Sequence, residues 1–199
     1  MDTKALFKIG YGLYVLTAQD EKDNGCIINT VMQVTSNPLQ VAIAVNKRNY
    51  TNEIIQKTRK FNLSILSEKA YFSIYEHFGY KSGRDTDKFA TFCDVKRSPN
   101  GLLYITKGTN AYLSAYVQNE IDLGTHSLFI GQLVASENLN DDKSATYDYY
   151  QNSVKPKPEN TVKKGWRCKI CGYIYEGEDL PVDYICPICK HGAVDFEKL

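Results

Sequence analysis

The 199-residue sequence contains no run of about 18 apolar residues, so no membrane span is expected. It lacks an excess of either charge. Twenty-four Lys and Arg against 23 Asp and Glu leave +1, which removes the electrostatic case for nucleic acid or an anionic membrane as partner. The opening stretch, residues 1–20, lacks a signal-peptide pattern, because Lys8 interrupts its apolar residues and charges follow; the expected location is the cytoplasm. There is no G-x-G-x-x-G and no Walker motif, so a Rossmann or P-loop nucleotide site is not indicated. No internal repeat is visible. Cysteine is sparse over the first three-quarters, where Cys26 and Cys93 stand alone. Both are expected to be plain packed or half-exposed thiols.

The other four cysteines crowd together near the end of the chain, between Cys168 and Cys189. In a reducing compartment that placement points to a metal rather than to disulfides. Cys168-Lys-Ile-Cys171 and Cys186-Pro-Ile-Cys189 are two Cys-x-x-Cys pairs, with only the stretch 172–185 between them. Each pair turns two sulfurs toward one ion, and two pairs complete a tetrahedron suited to zinc or iron. Size argues the same way. The segment 164–199 is short, and chains below about 40 residues seldom bury enough apolar surface to fold without help. A metal supplies the missing free energy.

Hydrophobic residues make up 43% of the chain, enough for a packed core. The first ~150 residues read as mainly β. Strands are expected over 10–18, 25–34, 39–45, 61–66, 102–106, 111–121 and 127–135. In the third of these, Leu39, Val41, Ile43 and Val45 share one face. Helices are expected over 51–60, with Ile54 and Ile55 inward, and over 71–77. Many strands with few helices suggest a barrel. Residues 143–150 read as a helix or an ordered arm. Val154-Lys-Pro-Lys-Pro-Glu-Asn-Thr161 is charged and carries two prolines, the composition of a stiff linker. The expected organisation is a barrel over 1–153, a linker over 154–163 and a metal-bound module over 164–199.

The last segment closely resembles rubredoxin. An aromatic stands two before the first cysteine (Trp166), and Cys171-Gly-Tyr-Ile-Tyr175 follows the first pair. Tyr184 stands two before the third cysteine, then come Cys186-Pro-Ile-Cys189 and Phe196. The loop between the pairs is short, and Lys190 occupies a place where that family often has glycine. The resemblance implies one iron held by Cys168, Cys171, Cys186 and Cys189; the ligand set by itself also fits structural zinc.

Before Cys168 the candidate binding residues are softer. Asn29, Thr30, Gln33, Val34, Thr35 and Ser36 place amides and hydroxyls along or just after a strand, suited to a polar ring edge or equally to plain outward-facing positions. Lys47 precedes a helix that begins near Thr51. Its backbone N–H groups suit a phosphate, and Thr51 also reads as an N-cap. Ser82-Gly83-Arg84 places a cation in a loop. His126 opens a strand after Gly124-Thr125. His77 reads as structural, and His191 as solvent-facing.

Taken in order, residues 11–17, 29–38, 46–51, 77–89 and 124–131 resemble the flavin reductase family, whose fold is the FMN-binding split β-barrel. The resemblance implies bound FMN, NADH or NADPH as reductant, and a homodimer with flavin near the subunit interface. Residues 29–36 would contact the isoalloxazine and ribityl chain. Lys47 and Thr51 would hold the phosphate with Ser82, Gly83 and Arg84 nearby, and His126 would face the ring where nicotinamide stacks. A flavin reductase-like barrel followed by rubredoxin looks like the high-molecular-weight rubredoxins of anaerobic bacteria. That likeness implies electron flow from NAD(P)H through FMN and Fe(Cys)4 to a flavodiiron oxygen or nitric oxide reductase. Two other readings stand beside it: a reductase that releases reduced flavin, and a non-enzymatic split barrel with a zinc ribbon.

Overall fold

The computed structural model describes residues 2–156 and 165–199. The chain forms two compact units, Met1–Lys155 and Pro156–Leu199. Of the expected linker, residues 157–163 lie outside the described residues. Among the described residues no helix is long and apolar enough to cross a membrane.

The strands of the first unit are β1 (Tyr14–Gln19), β2 (Asp23–Ile28), β3 (Val31–Ser36), β4 (Leu39–Asn46), β5 (Lys60–Leu66), β6 (Val95–Arg97), β7 (Leu103–Ile105), β8 (Thr109–Asp122) and β9 (His126–Asn138). β6 and β7 form a small hairpin. The other seven build one antiparallel sheet in the order β2-β1-β5-β8-β9-β4-β3. β2 and β3 are opposite edges of that order, yet only Asn29 and Thr30 connect them. Two residues cannot span an open seven-stranded sheet, whose neighbouring strands lie about 4.8 Å apart. The sheet therefore curls until its edges approach, which is a barrel. The continuous strand expected over 25–34 breaks at this crossing.

The barrel core confirms the closure. Leu16 of β1, Cys26 of β2, Ile43 of β4, Phe61 and Leu63 of β5, Ala115 of β8 and Phe129 of β9 belong to one buried cluster. Alternation along each strand supplies these residues. Cys26 is thus a packed thiol, while Cys93 is exposed. The helix α1 (Tyr50–Thr58) adds Ile54 and Ile55 to the same cluster, as their spacing implied. Its N-cap is Asn49 rather than Thr51: the Asn49 carboxamide accepts from the Thr51 N–H at 3.2 Å. The helix stops before the expected residue 60, because Arg59 adopts φ 57 and Lys60 opens β5.

A second buried layer forms outside the barrel wall. Helix α2 (Phe72–Gly79) contributes Ile74, Tyr75 and Phe78 against Val15, Leu66 and Ile105. Residues 143–154 complete it as an arm. Ser144 bridges to Ser67 and Thr146 to Gly12. A short helical turn over Tyr147–Tyr149 then widens into π geometry over Tyr150–Val154. Tyr150 packs on Tyr75 with ring centroids 4.7 Å apart.

The strands of the second unit are β10 (Trp166–Cys168), β11 (Ile174–Tyr175) and β12 (Phe196–Lys198). They form one sheet with β10 in the middle. The buried cluster of this unit is Cys168, Cys186 and Phe196, ringed by Trp166, Tyr173, Tyr175 and Tyr184.

Candidate functional site

Each Cys-x-x-Cys pair lies in a tight turn anchored by backbone bonds. Gly172 N–H donates to Cys168 O at 2.8 Å, and Lys190 N–H donates to Cys186 O at 3.0 Å. The two turns are alike: the residue after each second cysteine is left-handed, Gly172 at φ 80 and Lys190 at φ 63. Glycine takes that conformation freely, whereas lysine takes it at a cost. Paired turns bring all four sulfurs within 4.8 Å of one another. Cys168 and Cys189 Sγ are 3.5 Å apart, Cys171 and Cys186 Sγ 3.4 Å. A disulfide needs about 2.0 Å, so these are not disulfides. A tetrahedral thiolate site with bonds of about 2.3 Å places its sulfurs about 3.8 Å apart, close to what is seen.

The electrostatics of the cluster also call for a cation. Cys168 is held well below the usual thiol range, first by the Cys171 and Cys189 thiols and then by the N–H groups of Cys171 and Ile170. Its proximity pushes Cys171 up to about 12. Thiols this close cannot all ionise on their own, whereas a metal charge lets every sulfur ligate as thiolate. The donor set fits iron or zinc; Trp166, Tyr173, Tyr175 and Tyr184 pack around it, and Cys168 and Cys186 are buried while Cys171 and Cys189 are only partly so. His191 is half-buried rather than solvent-facing, with Nδ1 3.1 Å from Cys189 O.

In the barrel unit the sequence candidates separate into three groups. The first surrounds the start of α1. Thr51 is fully buried, and its hydroxyl accepts from Asn24 Nδ2 at 2.9 Å. Gly83 lies so close to Asn24 that a Cβ there would displace the Asn24 carboxamide. Ser82 Oγ accepts from Arg84 N–H at 3.2 Å. The Arg84 guanidinium lies 5.0 Å above the Tyr50 ring and pairs with Glu53. Thr51, Ser82, Gly83 and Arg84 thus converge, although β5 and α2 intervene between the helix and the loop. Helix N–H groups, hydroxyls and a guanidinium form a donor set that fits a phosphate.

The second group sits where β4 ends. Asn46 pairs with His126 across the β4–β9 ladder, and Lys47 N–H donates to Thr125 O at 3.0 Å. Lys47 Nζ is 2.6 Å from Asp122 and holds its carboxyl below the usual range, aided by the Gly124 N–H. His126 Nδ1 is 2.9 Å from Thr125 Oγ1. The third group runs along β3. Thr30 O accepts from Ala44 N–H at 3.3 Å, so Asn29 and Thr30 border the 44–47 segment. Gln33, Val34, Thr35 and Ser36 extend away along the edge, Ser36 roughly 20 Å from Thr30 at about 3.3 Å per residue. Gln33, Val34 and Ser36 are exposed.

Several residues at the α1 corner escaped the sequence reading. Asn24 links helix and loop. Lys88, within the Asp87-Lys88-Phe89 stretch, is buried, and its Nζ donates to Gly25 O at 2.8 Å and Phe78 O at 3.1 Å. Burial holds Lys88 below its ordinary range and pushes the neighbouring Cys26 thiol up, against lowering by Thr51 and Lys88. A lysine flanked by Asp87 gives no sequence sign of burial. His77 is structural as expected, with Nε2 2.6 Å from Lys88 O.

Comparison with known proteins bears on both units. Residues 6–157 match the flavin reductase like domain. Residues 166–197 match the rubrerythrin, rubredoxin-like domain. The chain is 38% identical to the high molecular weight rubredoxin of Moorella thermoacetica, covering 100% of both chains. It is 35% identical to the ferric-chelate reductase (NAD(P)H) of Archaeoglobus fulgidus, covering 81% of this chain and 96% of that one. The NADH:FAD oxidoreductase of Streptomyces globisporus C-1027 shares the barrel fold, with TM-score 0.64 at 20% identity over 70% of this chain and 82% of that one.

Proposed function

Since this chain belongs to the flavin reductase-like family, in the fused architecture of the high molecular weight rubredoxins, we propose that it is an oxidoreductase carrying electrons from NAD(P)H through FMN to an Fe(Cys)4 centre and on to a redox partner. One observation carries this reading. A cluster of four cysteine sulfurs, all within 4.8 Å of one another, is joined covalently to a flavin reductase-like domain. When bound, FMN supplies the conversion of a two-electron hydride into single electrons, and the iron supplies a one-electron carrier. A reductase that merely released reduced flavin would have no use for such a carrier.

The chain's own residues then have these roles. Thr51, Ser82, Gly83 and Arg84 hold the flavin phosphate at the start of α1, with Lys47 turning to it from Asp122. Asn29, Thr30, Gln33, Val34, Thr35 and Ser36 line the ring and ribityl chain along β3. His126, beside Lys47, positions the nicotinamide. Cys168, Cys171, Cys186 and Cys189 ligate the iron. Residues 1–153 form the flavin domain, 154–163 the linker and 164–199 the iron domain.

A homodimer is part of the reading. The face of β3, β4, β8 and β9 that points away from the core carries the exposed side chains Met32, Tyr116 and Ile121. Such a patch suits a second copy. The proposed location is the cytoplasm, where the nicotinamide reductant is made. A flavodiiron oxygen or nitric oxide reductase is the proposed acceptor. The test is anaerobic addition of NADH to the FMN-loaded chain, read at flavin and iron–thiolate wavelengths. Both should bleach, iron after flavin. A colourless metal site, or iron that stays oxidised while flavin is reduced, overturns the proposal.

A further inference from the structure

We propose that the arm over residues 143–154 sets the position of the loop that holds the flavin phosphate, with Tyr150 and Tyr80 as the positioning residues. This rests on the reading that Thr51, Ser82, Gly83 and Arg84 hold that phosphate.

The loop does little to fix itself. Ser82 O accepts from the N–H groups of Asp85 at 3.3 Å and Thr86 at 3.1 Å, so the middle of the loop is a local turn. Its outward contacts include Gly83 against Asn24 and the exposed pair of Arg84 with Glu53. An exposed ion pair holds a side chain weakly. Lys88 fastens the far end, through Gly25 O and Phe78 O. The near end is Tyr80, where α2 stops and the Tyr80 N–H donates to Glu76 O at 3.0 Å. Ser82 follows two residues later. Two residues reach about 7 Å at most, so the place of Tyr80 decides where Ser82 can sit.

The arm holds Tyr80. The Tyr80 hydroxyl lies 2.6 Å from that of Tyr150, a hydrogen bond between segments far apart in sequence. Tyr150 is buried and packs on Tyr75 of α2, while Tyr80 meets Phe72 edge-on with ring centroids 6.0 Å apart. The arm itself is anchored to the barrel unit by main-chain bonds. Glu68 N–H donates to Lys143 O, Ala145 N–H to Leu66 O and Tyr147 N–H to Tyr11 O, each at 2.8 Å. The Tyr149 hydroxyl donates to Glu68 O at 3.1 Å. Tyr150 therefore stands on a fixed base, and through Tyr80 it fixes the entrance of the loop.

The backbone of the arm gives a second observation. The turn that begins at Tyr150 is π rather than α, closed by Lys155 N–H on Tyr150 O at 2.8 Å. Such turns are rare and frequently mark functional sites. This one starts at the residue that touches Tyr80. Arm and loop are coupled through that contact, so a phosphate that orders the loop also orders the arm.

The test uses the full chain with iron bound, titrated with FMN and with riboflavin, which has the ring and ribityl chain but no phosphate. Tyr80→Phe and Tyr150→Phe each remove one hydroxyl and keep the ring. By fluorescence, each should weaken FMN binding about 3–10-fold, the range for one neutral hydrogen bond, and leave riboflavin within about 2-fold. The double variant should lose no more than either single variant, because both hydroxyls serve one bond. Unchanged FMN affinity in the single variants overturns the proposal. So do equal losses for FMN and riboflavin, which mark a general loosening, and losses that add in the double variant, which mark two separate roles. Hydrogen exchange on the unsubstituted chain is an independent check that holds even where a variant fails to fold. At saturation, FMN should slow exchange of the 143–154 amides more than riboflavin does, and by more than it slows those of β6 and β7. Equal exchange of the arm in the two complexes overturns the proposal. Arg84→Ala separates this from the reading beneath it. If Arg84→Ala weakens FMN selectively and the tyrosine variants do not, the role of the arm falls alone. If the wild-type chain binds FMN no more tightly than riboflavin, the phosphate reading falls and takes this proposal with it.

Discussion

Replacing Cys186 by serine tests whether the metal folds the C-terminal unit. Cys186 is fully buried, and its sulfur lies 3.4 Å from that of Cys171. Among the described residues of this unit the buried cluster has three side chains, and two of them are metal ligands. Phe196 is the third. Burying it contributes about 3 kcal/mol at most. Bound metal in a four-ligand structural site contributes about 10–16 kcal/mol of folding free energy, several times as much. Serine offers a poor ligand and leaves a polar hydroxyl in a buried place. Cys186→Ser should therefore bleach the iron–thiolate bands and unfold residues 165–199. Limited proteolysis should degrade that segment while residues 2–156, which have their own two buried clusters, stay resistant and keep flavin. A metal-free Cys186→Ser chain whose C-terminal unit still resists protease would refute the reasoning.

Arg84→Ala should weaken FMN binding by about 10–100-fold, the range for losing a hydrogen bond to a charged group, and should leave riboflavin, which has no phosphate, within about 2-fold; equal losses for both in fluorescence titration would remove Arg84 from phosphate binding. Lys88 is held below its ordinary range by burial, so the unfolded chain binds more protons in the window between that lowered value and the usual 10.5. The Lys88 contribution to barrel stability should rise with pH across that window, against the opposite contribution of the buried Cys26 thiol, whose range is raised; relative to wild type, Lys88→Met should therefore lose urea midpoint steadily as pH approaches 10.5.

The parts of this fold that were legible in the sequence are those set by short-range pattern. Period-two alternation in 39–45 marked β4, and the inward pair Ile54 and Ile55 marked the buried side of α1. The cysteine spacing marked the metal centre, because two local turns nearly determine where four sulfurs go. What was hidden depends on closure. The break at Asn29-Thr30 follows from joining two opposite sheet edges, and nothing in the alternation of 25–34 reports it. The short strand β6 offers too few positions to show a period. The cap at Asn49 was missed because Thr51 is as good a cap by residue type, and only the backbone decides which side chain faces the free N–H groups. Lys88 and Asn24 join the corner at the start of α1 through contacts between segments distant in sequence, Asn24 with Thr51 and Lys88 with Gly25.

The two units are stabilised by different means, and this bears on how the chain works. The barrel owes its shape to apolar side chains drawn from six strands and a helix. Asn24 donates to Thr51 and lies against Gly83, so the proposed phosphate site would be ordered by the barrel's own packing, which lowers the cost of binding there. In the C-terminal unit the only fully apolar side chain of the buried cluster besides two cysteines is Phe196, among the described residues, so metal and fold are expected to arrive together. On the proposed path, a flavin that receives two electrons at once would pass them singly to an iron carried in the same chain, and a covalent link raises the concentration of one redox centre about the other, so the step left to diffusion is the last, from iron to partner.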